Sequence, residues 1–149
     1  MSNLDELYLE VIIDHNKNPR NKGELNDFTH EAKGDNPLCG DQISIKLIMK
    51  DDKITDVKFT GSGCAISTAS ASVLTETIKG KSRDEIEKLF GNFQSLVTGN
   101  GKRENLGKLE IFEGVNKYPA RVKCATHSWH ALIAAIEGKK EASTEWVKN

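Results

Sequence analysis

The fold is decided by Gln42-Ile43-Ser44-Ile45-Lys46-Leu47-Ile48-Met49-Lys50, followed by Asp51-Asp52-Lys53 and Ile54-Thr55-Asp56-Val57-Lys58-Phe59-Thr60. In the first run Ile43, Ile45, Leu47 and Met49 alternate with Ser44, Lys46 and Ile48. Side chains of a strand point to opposite faces in turn, so a period of two predicts a half-buried strand. Asp51-Asp52 carries turn chemistry, and the return run puts Val57 and Phe59 on one face, which predicts an antiparallel hairpin. Upstream, the stretch from Thr29 to Lys33 reads as a third, short strand.

Helical spacing governs the rest. Leu4, Leu7, Tyr8, Val11 and Ile12 predict a helix from Ser2 to about His15, with Ser2 and Asp5 as an approximate capping box and Pro19 and Gly23 as breakers. Gly61-Ser62-Gly63 ends the hairpin, and from Cys64 the small residues Ala65 to Leu74 predict a helix closed by Gly80. Ser82-Arg83-Asp84-Glu85 is a capping box opening a helix with Ile86, Leu89, Phe90 and Phe93 inward. Leu106 to Phe112 predicts a short helix. A last long helix is expected from about Val122 to Glu137, with Trp129, Leu132, Ile133 and Ile136 on one stripe, and a short helical tail through Trp146. One helix, three strands and then helices predict an α+β domain: a small three-stranded antiparallel sheet with helices packed on one face.

The 149 residues are expected to form one domain over 1–149. Charged residues make up 29% of the chain and nearly cancel, to a net charge of −1. That balance argues against nucleic acid as a partner, since such binders carry a basic excess. No run of about 18 apolar residues suggests a membrane span, and the acidic, helical N-terminus is unlike a signal peptide. A cytoplasmic location is therefore expected. An odd count of three cysteines in such a compartment points to metal or thiol chemistry rather than disulfides.

Those cysteines are Cys39 in Pro37-Leu38-Cys39-Gly40-Asp41, Cys64 in Gly61-Ser62-Gly63-Cys64-Ala65, and Cys124 in Arg121-Val122-Lys123-Cys124-Ala125-Thr126. With Asp41 they make four candidate ligands, the number a tetrahedral ion takes. Cys64 and Cys124 fall at expected helix starts, where the positive end of the helix dipole favours thiolate; Cys39 lies on a loop. Zinc suits such a mixed set best, an iron–sulfur cluster is also compatible, and calcium or magnesium is disfavoured. The competing reading treats the cysteines as small buried hydrophobes, and their spacing, with no CxxC pair, does not decide between the two.

Four segments carry a resemblance. They are Asp14-His15 with Asn18-Pro19-Arg20-Asn21; Asn36-Pro37-Leu38-Cys39-Gly40-Asp41; Phe59-Thr60-Gly61-Ser62-Gly63-Cys64-Ala65-Ile66-Ser67; and Pro119-Ala120-Arg121-Val122-Lys123-Cys124-Ala125-Thr126. Together, and in this order, they resemble the IscU/NifU-like iron–sulfur cluster assembly family, in particular its SufU branch. Two departures separate the chain from the IscU branch: Lys123 stands where those proteins carry a His before the third cysteine, and Lys117 to Lys123 lacks their chaperone-docking motif, so an Hsp70-type partner is not expected. A longer segment near Gln94 to Gly107 is also SufU-like.

The resemblance implies a zinc site of Cys39, Asp41, Cys64 and Cys124, with Cys39 as acceptor of persulfide sulfur from a SufS-type cysteine desulfurase and a SufBCD-type scaffold complex downstream. It thus implies a sulfurtransferase-like partner of a desulfurase rather than a stand-alone enzyme. Two other readings stay open. One is a scaffold that builds a [2Fe–2S] cluster, or holds iron, on Cys39, Cys64 and Cys124; the other is a zinc-stabilised interaction module. A zinc hydrolase is more distant, because four protein ligands leave no open position for water.

Arg121 is a possible supporting residue beside Cys124, able to steady a thiolate or a partner's acidic group. His127 and His130 follow Cys124 at three and six residues; the expectation for His127 is a surface or partner-facing side chain. Gly99-Asn100-Gly101-Lys102 lacks the spacing of a phosphate-binding loop.

Overall fold

The computed structural model describes residues 3–36, 41–99, 106–139 and 141–143. Strands β1 (His30–Asn36), β2 (Asp41–Lys50) and β3 (Lys53–Ser62) form the expected antiparallel sheet. The hairpin register sets Ile45 opposite Phe59 and Leu47 opposite Val57, with one irregularity between Ile48 and Met49. Asp51 and Asp52 both take positive φ, which their short polar side chains tolerate at a tight turn.

The first strand runs further than the sequence pattern indicates, because the backbone of Gly34, Asp35 and Asn36 stays paired with β2. A fourth strand, β4 (Glu141–Ser143), pairs parallel to β1 and completes the order β3-β2-β1-β4. It replaces part of the helical tail expected there. Gly138, at φ +82, stops the preceding helix, and the free edge of β1 captures the chain that follows. The rest of that tail, to Trp146, lies outside the described residues, as does Ser2.

Helices α1 (Asn3–Lys17), α2 (Ala65–Ile78), α3 (Arg83–Thr98) and α4 (Pro119–Ile136) accompany the sheet, with a 3-10 helix over Gly107–Lys117. α4 packs across β1 and β2, and α2 lies beside it. The inward side chains Ala32, Ile43, Ile45, Leu47, Val57 and Phe59 are buried beneath these helices, each large one contributing about 1.5–3 kcal/mol. Trp129 anchors the helical layer, stacked on Phe90 at 5.5 Å and on Phe93 at 5.3 Å between centroids. Among the described residues no helix is long and apolar enough to cross a membrane.

α4 begins earlier than its apolar stripe suggests. Pro119 sits in the first turn, where its fixed φ and missing N–H suit a helix start. The 3-10 helix likewise runs past Phe112, the limit of the expected short helix, to Lys117. The Ser82 capping box forms as expected: Ser82 Oγ accepts from the Glu85 N–H, and Glu85 Oε1 accepts from the Ser82 N–H.

The run from Asp14 to Asn21 is a docking device for α1. His15 is fully buried, its Nδ1 2.7 Å from Ser72 Oγ, and the Arg20 N–H donates to the same oxygen at 2.8 Å. Arg20 also holds Asp14 at 2.7 Å, and Asn21, at φ +58, donates to Thr75 Oγ1 at 3.1 Å. The small residues of α2 let this turn and α4 approach closely: Ser70 Oγ donates to the Ala125 carbonyl.

Gly61 is the sharpest demand on sequence. Its φ is +125, and a Cβ there would overlap the Gln42 carbonyl oxygen. Gly61→Ala is expected to destabilise the protein by about 3 kcal/mol, the upper range for enforced backbone strain. Gly91→Ala, in the interior of α3 with open space around it, is expected to stabilise by about 0.5–1 kcal/mol. Urea unfolding of both variants checks the contrast, and a Gly61→Ala midpoint equal to wild type would contradict it.

Candidate metal centre

Three sequence-distant elements end at one place. Asp41 is the first residue of β2, Cys64 is the N-cap of α2, and Cys124 lies in α4. One carboxylate oxygen and the two sulfurs all lie within 4.8 Å of one another. Sulfurs around a tetrahedral zinc stand about 3.8 Å apart, given Zn–S bonds of about 2.3 Å, so the described separations fit such an ion.

The local sequence explains why these groups meet. β3 ends at Ser62, and Gly61 keeps its backbone against Gln42, next to Asp41. A Cβ on Gly63 would come within 2.6 Å of Asp41 Oδ1, so glycine there opens the space the carboxylate occupies. Asp41 Oδ1 accepts from the Cys64 N–H at 2.8 Å, tying strand to helix start. The carboxylate is fully buried, and its Oδ2 has no hydrogen-bond partner among the described residues. A buried carboxylate oxygen left without a donor is costly, and a cation beside the two sulfurs would offset that cost.

The sulfurs are not alike. Cys64 is half-buried and Cys124 is fully buried. The Cys64 thiol is brought down to about 6, first by a hydrogen bond from Cys124. The backbone N–H groups of Ser67 and Ile66 at the start of α2 add to this, against burial and the neighbouring Asp41 charge. Ser67 N–H donates to Cys64 Sγ at 3.4 Å. The lowering favours the thiolate of Cys64, through the Cys124 hydrogen bond first and its place as a helix N-cap second. The arrangement concentrates negative charge at a partly accessible point, and thiolate with carboxylate is a donor set suited to zinc.

Placement departs from the sequence reading in two ways. With α4 starting at Pro119, Cys124 lies past the first helical turn rather than at a helix start. Its sulfur is thus held by packing and by Cys64, outside the strongest part of the helix dipole. His127, expected at the surface, is fully buried. It follows Cys124 by one turn on the face of α4 that packs against β1, where a Cβ on Gly34 would meet its ring. The sequence signal for its burial was the helical spacing with Cys124.

Arg121 is exposed in the first turn of α4, outside the cluster of Asp41, Cys64 and Cys124, and Lys123 is half-buried beside Cys124. His130 is half-buried, edge-on to Phe90 at 5.4 Å. Cys39 lies outside the described residues.

A family model described as the NifU-like N terminal domain matches residues 7–125. The chain is 47% identical over 142 residues to the zinc-dependent sulfurtransferase SufU of Bacillus subtilis, covering 92% of this chain and 96% of that one. It is 42% identical over 144 residues to the iron–sulfur cluster assembly scaffold protein IscU of Streptococcus pyogenes serotype M1, covering 95% and 90%. The crystal structure of the N-terminal part of a nitrogen-fixing NifU-like protein from Brucella abortus superposes with a TM-score of 0.82 at 24% identity, covering 92% of this chain and 96% of that one. At that identity the likeness speaks for the fold. On the family match over most of its length, and on relatives of this identity along nearly all of it, the chain belongs to the NifU-like N-terminal domain family.

Proposed function

We propose that this single-domain protein is a zinc-dependent sulfur carrier of iron–sulfur cluster biogenesis. It takes persulfide sulfur onto Cys39 from a SufS-type cysteine desulfurase and passes it to a SufBCD-type assembly complex in the cytoplasm. The observation that carries this reading is the convergence of Asp41, Cys64 and Cys124, with a buried oxygen of the Asp41 carboxylate left without a hydrogen-bond partner among the described residues. The likeness to a zinc-dependent sulfurtransferase supports it.

Asp41, Cys64 and Cys124 are three of the four ligands, and Cys39 is the fourth. When bound, zinc supplies Lewis-acid charge that keeps its thiolate ligands deprotonated without oxidising them. The protein supplies the rest. Asp41, locked to the Cys64 N–H, anchors the strand end that follows Cys39. Cys64 and Cys124 project from two helices packed against each other, and stay put while the loop sulfur is engaged.

The transfer is a displacement. The Cys39 thiolate attacks the terminal sulfur of the enzyme's cysteine persulfide and forms a new S–S bond. The bond between that sulfur and the enzyme cysteine breaks, and the enzyme thiolate leaves with the electron pair. Arg121, exposed near the cluster on α4, presents a cation to an acidic group of the partner. The scaffold reading is favoured by the IscU likeness, and there the cluster is cargo built on the same thiols.

Purified protein is expected to carry about one zinc per chain, as the ligand count requires. Asp41→Ala should weaken zinc binding by more than about 100-fold, since changes to outer-shell partners alone cost 10–100-fold. Chelator competition measures this; zinc held equally well by Asp41→Ala would remove the carboxylate from the centre. A visible brown chromophore in place of zinc would favour the scaffold.

After incubation with a cysteine desulfurase and cysteine, mass spectrometry should find one added sulfur atom on Cys39, and Cys39→Ala should abolish stimulation of the desulfurase. Undiminished stimulation by that variant would rule out Cys39 as the acceptor.

In zinc-free protein, alkylation of Cys64 should be half-maximal near pH 6, the position of its thiol, against about 8.5 for an ordinary cysteine. A lowered thiol adds stability that is complete above the unfolded value and is lost as pH falls towards 6. Because the Cys124 hydrogen bond is the largest cause, Cys124→Ala should move the alkylation midpoint upward. A midpoint that does not move would assign the shift to the helix start instead.

A further inference from the structure

Cys64 and Cys124 are free cysteines of unlike exposure that meet at one point. Cys64 is half-buried at the N-cap of α2, and Cys124 is fully buried in α4. Their sulfurs lie within 4.8 Å of each other, and the two side chains are hydrogen-bonded. Two cysteines can be joined only where their backbones already bring them together. Here the fold does so: α2 packs beside α4, and Ser70 Oγ donates to the carbonyl of Ala125, the residue after Cys124.

The difference in exposure assigns the two sulfurs different parts. Cys64 is held at the helix start by the Ser67 N–H at 3.4 Å, and the residue stays partly open to solvent, where a small oxidant can reach it. Cys124 is shut off from solvent, yet its sulfur lies next to that of Cys64. A sulfenic acid formed on an accessible cysteine condenses with a neighbouring thiol to a disulfide, and goes on to sulfinic acid where there is none. The thiolate is at once the nucleophile and the metal ligand, so a bound ion and an oxidant compete for the same sulfurs.

We propose that Cys64 and Cys124 are a redox pair: a peroxide oxidises them to a disulfide, and closing that bond dismantles the metal centre. The dismantling rests on the reading of both cysteines as zinc ligands, whereas the disulfide stands on the two sulfurs alone. First the Cys64 thiolate attacks one peroxide oxygen. An S–O bond forms, the O–O bond breaks, and hydroxide leaves with the electron pair. The Cys124 sulfur then attacks the Cys64 sulfur. An S–S bond forms, the S–O bond breaks, and the departing hydroxide takes up the Cys124 proton as water. Two electrons pass in all from the two sulfurs to the peroxide oxygens. A disulfide has no thiolate to offer an ion, so the centre loses two ligands at once, and a dithiol reductant restores them. Sulfur transfer would stop under oxidant and resume after reduction, with the buried ligand spared irreversible oxidation.

The test treats the full chain, as purified, with hydrogen peroxide in the presence of a zinc-sensing dye, and maps its peptides by mass spectrometry without reductant. A linked Cys64–Cys124 peptide, two hydrogens lighter than its parts, is expected to build up in step with zinc release, and dithiothreitol should reverse both. Removing zinc first with a chelator is expected to speed the linkage by about tenfold or more, since ligated thiolates are withheld from the oxidant. Cys39→Ala, which leaves these two thiols as the only ones in the chain, should give the same link. In Cys124→Ser the Cys64 sulfur should gain oxygen atoms instead. Wild-type protein in which Cys64 gains oxygen or joins Cys39, with no Cys64–Cys124 link, would overturn the inference while leaving the zinc ligands intact. A link that forms equally fast with zinc bound, and leaves the zinc in place, would instead remove Cys64 and Cys124 from the ligand set, and the dismantling of the centre would fall with it. If Cys124→Ser does not fold, the wild-type peptide map decides alone.

Discussion

The Asp41 carboxylate is the point on which the arrangement turns. Its Oδ1 accepts the Cys64 N–H at 2.8 Å, joining the start of β2 to the start of α2. Its Oδ2 is buried with no donor among the described residues, and one oxygen of the carboxylate lies within 4.8 Å of both sulfurs. A carboxylate and a thiolate buried together repel, although the Ser67 N–H at the start of α2 lowers the Cys64 thiol by more than the Asp41 charge raises it. A cation at the centre would turn the repulsion into attraction. The same contact would then serve folding and chemistry, because an ion there clamps a strand end to two helices that are far apart in sequence.

Much of the fold follows from that demand. The sheet must deliver Asp41 and Ser62 to the same edge, which the register of β2 against β3 does by pairing Gln42 with Ser62. Gly61 and Gly63 then permit a turn that side chains would block, at the Gln42 carbonyl and at Asp41 Oδ1. α4 must pass beneath with Cys124 facing inward, and it is seated by Trp129 against Phe90 and Phe93. Small residues along α2 bring the Cys64 and Cys124 helices close, with Ser70 Oγ bonded to the Ala125 carbonyl.

The hairpin, the capping box at Ser82 and the residues that cluster at Asp41, Cys64 and Cys124 are legible because each is a local pattern: alternation, a fixed offset, or a rare side-chain type at or near a turn. What escapes is set by partners distant in sequence. Gly34 to Asn36 carry no strand signature and are strand because β2 pairs with them. The tail past Gly138 reads as helical but is drawn to the free edge of β1. Pro119, usually a breaker, starts α4 and moves Cys124 inward along it. His15 has no apolar signal, yet Ser72 Oγ makes its burial possible. The helical spacing of His127 from Cys124 is a local signal, but the room for its ring comes from Gly34, distant in sequence.

The rigidity of the groups that hold the cluster shapes what the site can do. Two thiols on packed helices and one carboxylate on a sheet edge can hold an ion with little reorganisation, because their backbones are bound into the core. Displacing Cys124 would require moving a helix that carries Trp129. Cys64, half-buried at a helix N-cap, is the more accessible of the two sulfurs. Its accessibility suits an approaching partner, and the Ser67 N–H ties its sulfur to the start of α2.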